Sequence, residues 1–248
     1  MPTVLVLGGT GEARQLASVL LPAHRVISSL AGRVADPVLP AGEVRVGGFG
    51  GPEGLAAYLA AERIDAVVDA THPFAARMSA NAAAACTAAG VPLVVLRRPG
   101  FAPRPGDAWH RVPTLDAAAA LLPSLAERVF LTTGRQALSR FAHLTRLWFL
   151  VRCVDPPVPP VPPRMTVLLD RGPFTVAGET ELMRAHDIGA LVTKDSGGEM
   201  TSAKLDAARA LGVAVVVVDR PPAPPGVPVV STVDEAAARV ARRLTGEN

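Results

Sequence analysis

The residues best suited to chemistry near the start of the chain form a glycine turn directly after a short apolar stretch, Val4–Leu7. Such a turn lets backbone approach a pyrophosphate, and the helix that follows offers free N–H groups and a positive dipole end. The sequence therefore predicts a dinucleotide-binding turn with cofactor contacts from Gly8, Gly9, Thr10, Gly11 and Glu12. A tight turn that needs glycine only for its backbone conformation is the alternative.

Arg14 stands where the third glycine of the usual dinucleotide-binding pattern would lie. A cation in the first turn of a helix is unfavourable, because it faces the positive end of the helix dipole. We therefore expect Arg14 to bind an anionic ligand, and we assign it to the substrate.

The second apolar stretch ends in two hydroxyl residues, Ser28 and Ser29, with Arg33 shortly after them. Enzymes that use NAD place an acidic residue here for the ribose 2′-hydroxyl, whereas hydroxyls and an arginine suit a 2′-phosphate. The three residues predict a site for NADP rather than NAD. An ordinary polar strand end is the alternative.

A further polar segment, Asp69–Ala75, follows a predicted strand at the sheet edge where open α/β sheets bind their ligands. We expect Thr71 and His72 to line the cofactor site. His72 is also a candidate proton donor, although a lone histidine can equally cap the next helix.

Two segments of the second half have the composition of anion-binding sites. Thr132–Arg135 repeats the arrangement of strand, glycine turn and arginine, and both lysines of the chain lie in or just after the segment Lys194–Gly198. Asp195 is a second candidate proton donor. The predicted substrate contacts here are Thr133, Gly134, Arg135, Lys194, Ser196, Gly197 and Lys204.

These segments require buried strands that end at one edge of a sheet, and the apolar pattern supplies them. The first series of predicted strands is Val4–Leu7, Val26–Ser29, Glu43–Val46, Ala66–Asp69, Pro92–Leu96 and Trp109–Val112; the second is Val129–Thr133, Leu147–Val151, Met165–Leu169, Ala190–Thr193 and Val213–Val218. Predicted helices alternate with them, including one that begins at Thr71–Pro73 and runs to Ala89, and a terminal helix with a Thr232/Glu235 capping box.

Strands that alternate with helices predict the α/β class with mostly parallel sheets. Each half of the chain opens with strand, glycine turn and helix, so we predict two Rossmann-like domains with an inter-domain cleft. Residues 1–127 would form the NADP-binding domain and residues 128–248 the substrate domain.

Composition excludes several classes of protein. The 248 residues are 49% hydrophobic and 19% charged with a net charge of +3, which is typical of a globular protein. The arginines are scattered rather than clustered, which argues against nucleic-acid binding and suits an anionic small molecule. The five histidines show no metal-ligand spacing, so no metal is predicted.

Compartment and assembly follow from what the chain lacks. Cys86 and Cys153 form no CxxC pair, the first strand begins almost at Met1, and no apolar run reaches the roughly 18 residues of a membrane helix. We expect a cytoplasmic protein without a membrane partner, as a monomer or a small homo-oligomer.

Taken together, the motifs resemble the precorrin-6A reductases of cobalamin biosynthesis. The resemblance extends from the first strand to the last βαβ unit and rests on Gly8–Glu12, Asp69–Ala75, Thr132–Gly134, Gly172–Phe174, Thr193–Gly197 and Lys204. It implies NADPH-dependent reduction of a C=C bond (C18–C19) of precorrin-6A to give precorrin-6B. The implied substrate is an anionic tetrapyrrole with acetate and propionate groups, which suits scattered arginines.

Two alternatives remain open at this point. A cobalt-precorrin-6A reductase of the anaerobic pathway would act on the metallated macrocycle, and no residue in the sequence separates the two substrates. A non-catalytic NADP-binding sensor would need only the first half, and the anion-binding segments of the second half argue against it. The proton could come from Asp195, His72 or solvent.

Overall fold

The chain divides into two compact units in a computed structural model that describes residues 1–32, 38–198 and 201–246. The first unit combines residues 1–99 with the C-terminal segment from Pro221 onward, and the second unit is Gly100–Arg220. The second unit is therefore inserted in the sequence of the first.

The strands and helices expected from the sequence are present as regular secondary structure, with the exceptions given below. The elements before residue 127 are β1 (Thr3–Leu7), α1 (Gly11–Leu20), β2 (Arg25–Leu30), β3 (Glu43–Val46), α2 (Pro52–Ala61), β4 (Ala66–Asp69), α3 (Ala76–Ala89), β5 (Leu93–Leu96), β6 (Trp109–Val112) and α4 (Leu115–Leu121). The later elements are β7 (Arg128–Leu131), β8 (Trp148–Cys153), β9 (Met165–Leu169), α5 (Val176–Ala185), β10 (Ala190–Lys194), α6 (Ala203–Leu211), β11 (Ala214–Val218), β12 (Val229–Val230) and α7 (Val233–Thr245).

The first unit contains a parallel six-stranded sheet in the order β12-β5-β4-β1-β2-β3. Read from the other edge, this is the doubly wound order of a dinucleotide-binding fold, with β12 as the sixth strand. β1 lies at the centre and all five of its residues are buried. The predicted α/β class and Rossmann-like architecture are confirmed for this unit.

Both faces of that sheet are covered by helices. Val4 and Val6 pack with Leu16 of α1 and Val240 of α7 in one apolar cluster, and Leu5 and Leu7 belong to another cluster with residues of α2 and α3. Because both faces of β1 are covered, its continuous apolar sequence is what the packing requires. The predicted capping box of α7 is present, with both Thr232 and Glu235 bonded to backbone N–H groups.

The second unit contains a parallel six-stranded sheet in the order β6-β11-β10-β7-β8-β9. β7 has the central place that β1 has in the first unit. Phe130, Leu150 and Leu191 form an apolar cluster with residues of α5 and α6. The order again corresponds to the doubly wound fold, so the second Rossmann-like unit is also confirmed.

The predicted domain boundary between residues 127 and 128 does not coincide with the division of the structure. β6 and α4 follow the first five strands in sequence but belong to the second unit, whereas β12 and α7 follow the second series but belong to the first. Each sheet therefore takes its sixth strand from the other half of the chain. A parallel strand pairs through the same backbone groups in either sheet, so its local sequence does not identify its partner.

Two local predictions also need correction, and one short strand was not predicted. α3 begins at Ala76 rather than at Thr71–Pro73, which lie in the turn before it. The helix expected after Gly134 is a six-residue 3₁₀ helix, Arg135–Arg140. β12 has only two residues and was not predicted. Within the ranges that the structure describes, no helix has the length and apolarity to cross a membrane.

The exchange of sixth strands predicts which fragments can fold. A chain that ends at Glu127 lacks α7, so Leu16 and Leu20 of α1 lose their cover, at a cost of about 1.5–3 kcal/mol for each large side chain exposed. We expect this fragment to show no cooperative thermal unfolding by circular dichroism.

The matched control joins Pro99 to Pro221 through a short glycine linker and omits the second unit. The Arg97 side chain donates a hydrogen bond to the Pro221 carbonyl at 2.5 Å, so the two ends lie close enough for such a linker. This fusion should unfold cooperatively. Cooperative unfolding of the 1–127 fragment together with an unfolded fusion would contradict the division described above.

Candidate functional site

The glycine turn of the first unit is fixed by Thr10. Its hydroxyl donates a hydrogen bond to the Ala70 carbonyl at 2.9 Å and accepts one from the Ala13 N–H at 3.1 Å, so it also caps α1. Gly9 has a φ of 114°, a conformation that a side chain would strain. The turn and the end of β4 are therefore one connected structure at the carboxyl edge of the sheet.

Glu12 forms an ion pair with Arg98, with 2.7 Å between Oε2 and Nη1. Burial alone would raise the pKa of Glu12, but its backbone hydrogen bond and the Arg98 guanidinium outweigh burial and lower the pKa below the ordinary value. Glu12 is thus held as a carboxylate beside the turn, where Arg98 compensates its charge. Arg14 forms no ion pair with another described residue, which leaves its guanidinium available to an anion.

Ser28 and Ser29 are both buried at the end of β2, and their role in NADP binding stays a prediction. The hydroxyl of Ser28 has no hydrogen-bond partner in the described part of the chain. The hydroxyl of Ser29 accepts a hydrogen bond from Arg45 Nη1 at 2.9 Å. Arg33, the third predicted residue, lies outside the described residues.

Sequence reasoning missed Arg45. It lies on β3, where parallel pairing sets it beside Ser29, and no short sequence motif connects the two. Arg45 could have been identified from the alternation of side chains along β3, which places Arg45 on the same face of the strand as Glu43.

Asp69, Thr71 and His72 line one small cavity of about 20 Å³ at the carboxyl ends of β4 and β5. Asp69 is 1% exposed, and its Oδ1 accepts hydrogen bonds from the Thr71 hydroxyl at 2.6 Å and the Thr71 N–H at 3.1 Å. Its Oδ2 has no partner among the described residues. Asp69 therefore orients the loop that carries His72.

His72 is exposed, and its Nδ1 accepts a hydrogen bond from the Phe74 N–H at 3.2 Å. This bond needs an unprotonated Nδ1, so in the neutral ring the proton is on Nε2. His72 thus lies after β4 at the carboxyl edge of the sheet, and its role as a proton donor stays a prediction.

In the second unit, Thr133 is buried at the end of β7 and its hydroxyl has no partner within the described ranges. Gly134 has a φ of 83°, so the predicted glycine turn is present. Arg135 lies 3.6 Å from Asp155 and donates to the Pro156 carbonyl at 3.4 Å. The 3₁₀ helix that follows has a weaker dipole than the expected α-helix, so anion binding here would rest on side chains and backbone N–H groups.

Asp195 occupies a different environment from the one expected of a proton donor. Its Oδ2 pairs with Arg111 at 2.9 Å, and its Oδ1 pairs with Arg220 at 3.3 Å and accepts the Phe101 N–H at 2.8 Å. Burial opposes ionisation, but these three donors outweigh it and hold the pKa of Asp195 below its ordinary value. A carboxylate held ionised in this way is poorly suited to donate a proton, so the geometry favours an anchoring role.

Gly100 shows how closely the chain approaches that carboxylate. A Cβ at this position would lie 2.8 Å from both carboxylate oxygens of Asp195 and 2.9 Å from Arg220 Nη2. Asp195 thus connects the first residues of the second unit to its last residue, Arg220.

The remaining predicted substrate residues lie along the carboxyl edge of β10 and the start of α6. Lys194 is partly exposed at the end of β10, Ser196 is buried, and Gly197 has a φ of 65°. Lys204 is 7% exposed and donates from Nζ to the Thr201 carbonyl at 2.6 Å. The structure thus brings these residues to one edge but buries the Lys204 ammonium.

A buried ion pair that sequence reasoning missed lies near Lys204. Arg152 of β8 and Glu179 of α5 are 2.7 Å apart, both almost fully buried, and the Arg152 guanidinium lies 3.9 Å from the ring centre of Phe174. Burial lowers the pKa of Lys204 to about 8, with Glu179 opposing and Arg152 reinforcing the shift. Through its contact with Phe174, Arg152 joins this cluster to the Gly172–Phe174 motif.

Asp195 yields a stability prediction. Asp195→Asn removes the negative charge between Arg111 and Arg220, and we expect the free energy of unfolding to fall by about 2 kcal/mol in urea denaturation. Asp116→Asn is the control, because its pair with Arg140 is exposed and should contribute about 0–1 kcal/mol. Equal small effects of both variants would refute the anchoring role.

Lys204 yields a pH prediction. Its folded pKa of about 8 lies below the unfolded value of 10.5, so between these values the unfolded chain binds the additional proton and stability rises with pH. We expect Lys204→Met to remove this rise. The thiol of Cys86, whose pKa burial raises to about 12, acts in the opposite direction, so the measured quantity is the difference between the two proteins' stability curves from pH 7 to 10. Parallel curves would contradict the assignment.

Comparison with known proteins gives consistent matches along almost the whole chain. The family model described as Precorrin-6x reductase CbiJ/CobK matches residues 3–241. A precorrin-6A reductase of Rhodococcus erythropolis is 57% identical over 243 residues, which is 97% of each chain. A solved structure named CobK precorrin-6A reductase is 44% identical, with a TM-score of 0.91 over 98% of this chain and 97% of that one.

A more distant relative bears on the choice of substrate. A cobalt-precorrin-6A reductase of Priestia megaterium is 29% identical over 232 residues, which cover 88% of this chain and 90% of that protein. The sequence is thus considerably more similar to a reductase named for the metal-free macrocycle.

Proposed function

The chain belongs to the precorrin-6x reductase family, and we propose that it reduces a C=C bond of precorrin-6A with NADPH. It is an oxidoreductase of cobalamin biosynthesis. The observation that carries the proposal is the 57% identity to a precorrin-6A reductase over 97% of both chains. We further propose that the C18–C19 bond is reduced, giving precorrin-6B, in the cytoplasm.

The first unit has the features that NADPH needs. The glycine turn and the capped start of α1 suit a pyrophosphate, and the hydroxyls of Ser28 and Ser29 suit the phosphorylated ribose. The Ser28 hydroxyl, buried without a partner in the described chain, is the kind of group that a ligand satisfies. When bound, the nicotinamide supplies the hydride.

His72 is our candidate for the proton that accompanies the hydride. Reduction of a C=C bond adds a hydride to one carbon and a proton to its neighbour. The proton would be delivered by the His72 imidazolium, which takes a proton from solvent and returns to the neutral ring after the transfer. In the neutral ring the Phe74 N–H bonds to Nδ1 and orients the imidazole, and Asp69 orients the loop through Thr71. Thr71 would position the cofactor rather than transfer a proton.

The second unit would hold the carboxylates of the macrocycle. Its candidates are the residues at the carboxyl edges of β7 and β10: Thr133, Gly134, Arg135, Lys194, Ser196 and Gly197. Most of the catalytic effect would then be the correct placement of two large anionic partners. Lys204 is buried, so a direct contact would require a ligand group that reaches the cluster.

The test is consumption of NADPH, followed at its absorbance, with precorrin-6A as substrate. We expect turnover with NADPH and precorrin-6A, much slower turnover with NADH, and slower turnover with cobalt-precorrin-6A. Faster turnover of the cobalt-containing substrate would reverse the choice between the two reductases. Binding of NADPH without turnover of either tetrapyrrole would favour a sensor.

His72 has its own test. We expect His72→Gln to lower kcat by about 100-fold or more, because a positioned general acid contributes about 10²–10⁴. The KM for NADPH should change little. His110→Gln is the control, since His110 is exposed on β6. Solvent would be the proton source if the two variants behaved alike.

A further inference from the structure

We propose that Arg45, together with Ser29, recognises the 2′-phosphate that distinguishes NADPH from NADH. The inference rests on the proposed function, since it assigns a cofactor-specificity role to a residue of the same site. Arg45 lies outside the glycine turn and outside every motif that the sequence resemblance uses.

The position of Arg45 follows from the register of the sheet. β2 and β3 pair in parallel with Ser29 opposite Arg45, so both residues lie near the carboxyl edge. The Gly8 N–H donates to the Ser29 carbonyl at 2.9 Å, which joins the glycine turn to the same point of β2. In this fold the end of β2 receives the adenosine ribose when the turn holds the pyrophosphate. Arg45 is therefore one strand away from the expected ribose.

The guanidinium of Arg45 is held in a fixed orientation. Its Nη1 donates to the Ser29 hydroxyl at 2.9 Å and to the Gly47 carbonyl at 3.0 Å, and its Nη2 donates to the Gly48 carbonyl at 3.1 Å. The group also lies 3.8 Å above the ring centre of Phe49. These bonds use three of the five N–H groups of an arginine, and two N–H groups remain for an anion. Such preorganisation suits the planar geometry of a phosphate contact.

The charge of Arg45 is not compensated by a carboxylate. Among the described residues no Asp or Glu forms an ion pair with it, and the nearby carboxylates of Glu43 and Glu62 are both engaged by Arg25. The end of β2 also lacks the acidic residue that would bind an unphosphorylated ribose and repel a phosphate. A partly buried, oriented and unpaired cation beside a ribose site is suited to a phosphate dianion.

The test compares two ligands that differ only in the 2′-phosphate, 2′,5′-ADP and 5′-AMP, by calorimetry. For Arg45→Met we expect the dissociation constant of 2′,5′-ADP to rise about 10-fold to 100-fold, the effect of one or two hydrogen bonds to a charged group, with 5′-AMP changed by less than about 2-fold. The KM for NADPH should rise by a similar factor while the KM for NADH stays the same.

Arg25→Met is the matched control, because Arg25 lies on β2 at the opposite end of the same strand pair and is paired with Glu43 and Glu62. We expect it to change neither ligand's affinity. Arg45→Lys is a second variant that keeps the charge but loses the planar fork, so its loss should be smaller and confined to the 2′-phosphate ligand.

Equal losses for 2′,5′-ADP and 5′-AMP in both Arg45 variants would show that Arg45 only supports the β2–β3 edge, and unchanged affinities would also overturn the inference. These outcomes leave the proposed function intact if the wild-type protein still prefers NADPH and reduces precorrin-6A. A wild-type protein that binds the two ligands equally would instead overturn NADPH specificity itself.

Discussion

The carboxylate of Asp195 is the contact on which the arrangement of the second unit depends. It accepts the Phe101 N–H at the start of that unit and pairs with Arg220 at its end. It also pairs with Arg111 of β6, the strand contributed by the other half of the chain. One residue at the end of β10 therefore holds the two chain ends of the unit and its exchanged strand, and Gly100 provides the space that this close approach needs.

This exchange explains what could and could not be predicted from the sequence. Eleven of the twelve strands in the described part of the chain have local signals, because a buried parallel strand needs an apolar run whichever sheet it joins. Membership of a sheet has no local signal, and Trp109–Val112 pairs with β11, about a hundred residues later, rather than with the strands before it. Val229–Val230 is too short to be distinguished from a loop.

The same limit applies to the site: features made of consecutive residues have a local signal, and contacts between distant segments have none. The glycine turn and the Asp69–His72 segment could be placed at strand ends from the sequence, because each consists of consecutive residues after one apolar run. Asp195 was interpreted as a candidate acid from its polar segment, whereas its three donors lie 25, 84 and 94 residues away in the chain. Arg45 was overlooked because its relation to Ser29 depends on strand register, which the apolar pattern of β3 does not fix.

The distribution of paired charges limits how the protein can recognise an anion. In the second unit Arg111, Arg152 and Arg220 each have a carboxylate partner, so they stabilise the fold and contribute little net attraction. Burial brings the pKa of Lys204 to about 8, close enough to neutrality that its charge is only partly retained in mildly basic solution. An anion bound by this unit would therefore be recognised by groups other than these three arginines. The small net charge of +3 is consistent with this, since placement rather than total charge determines which anion binds.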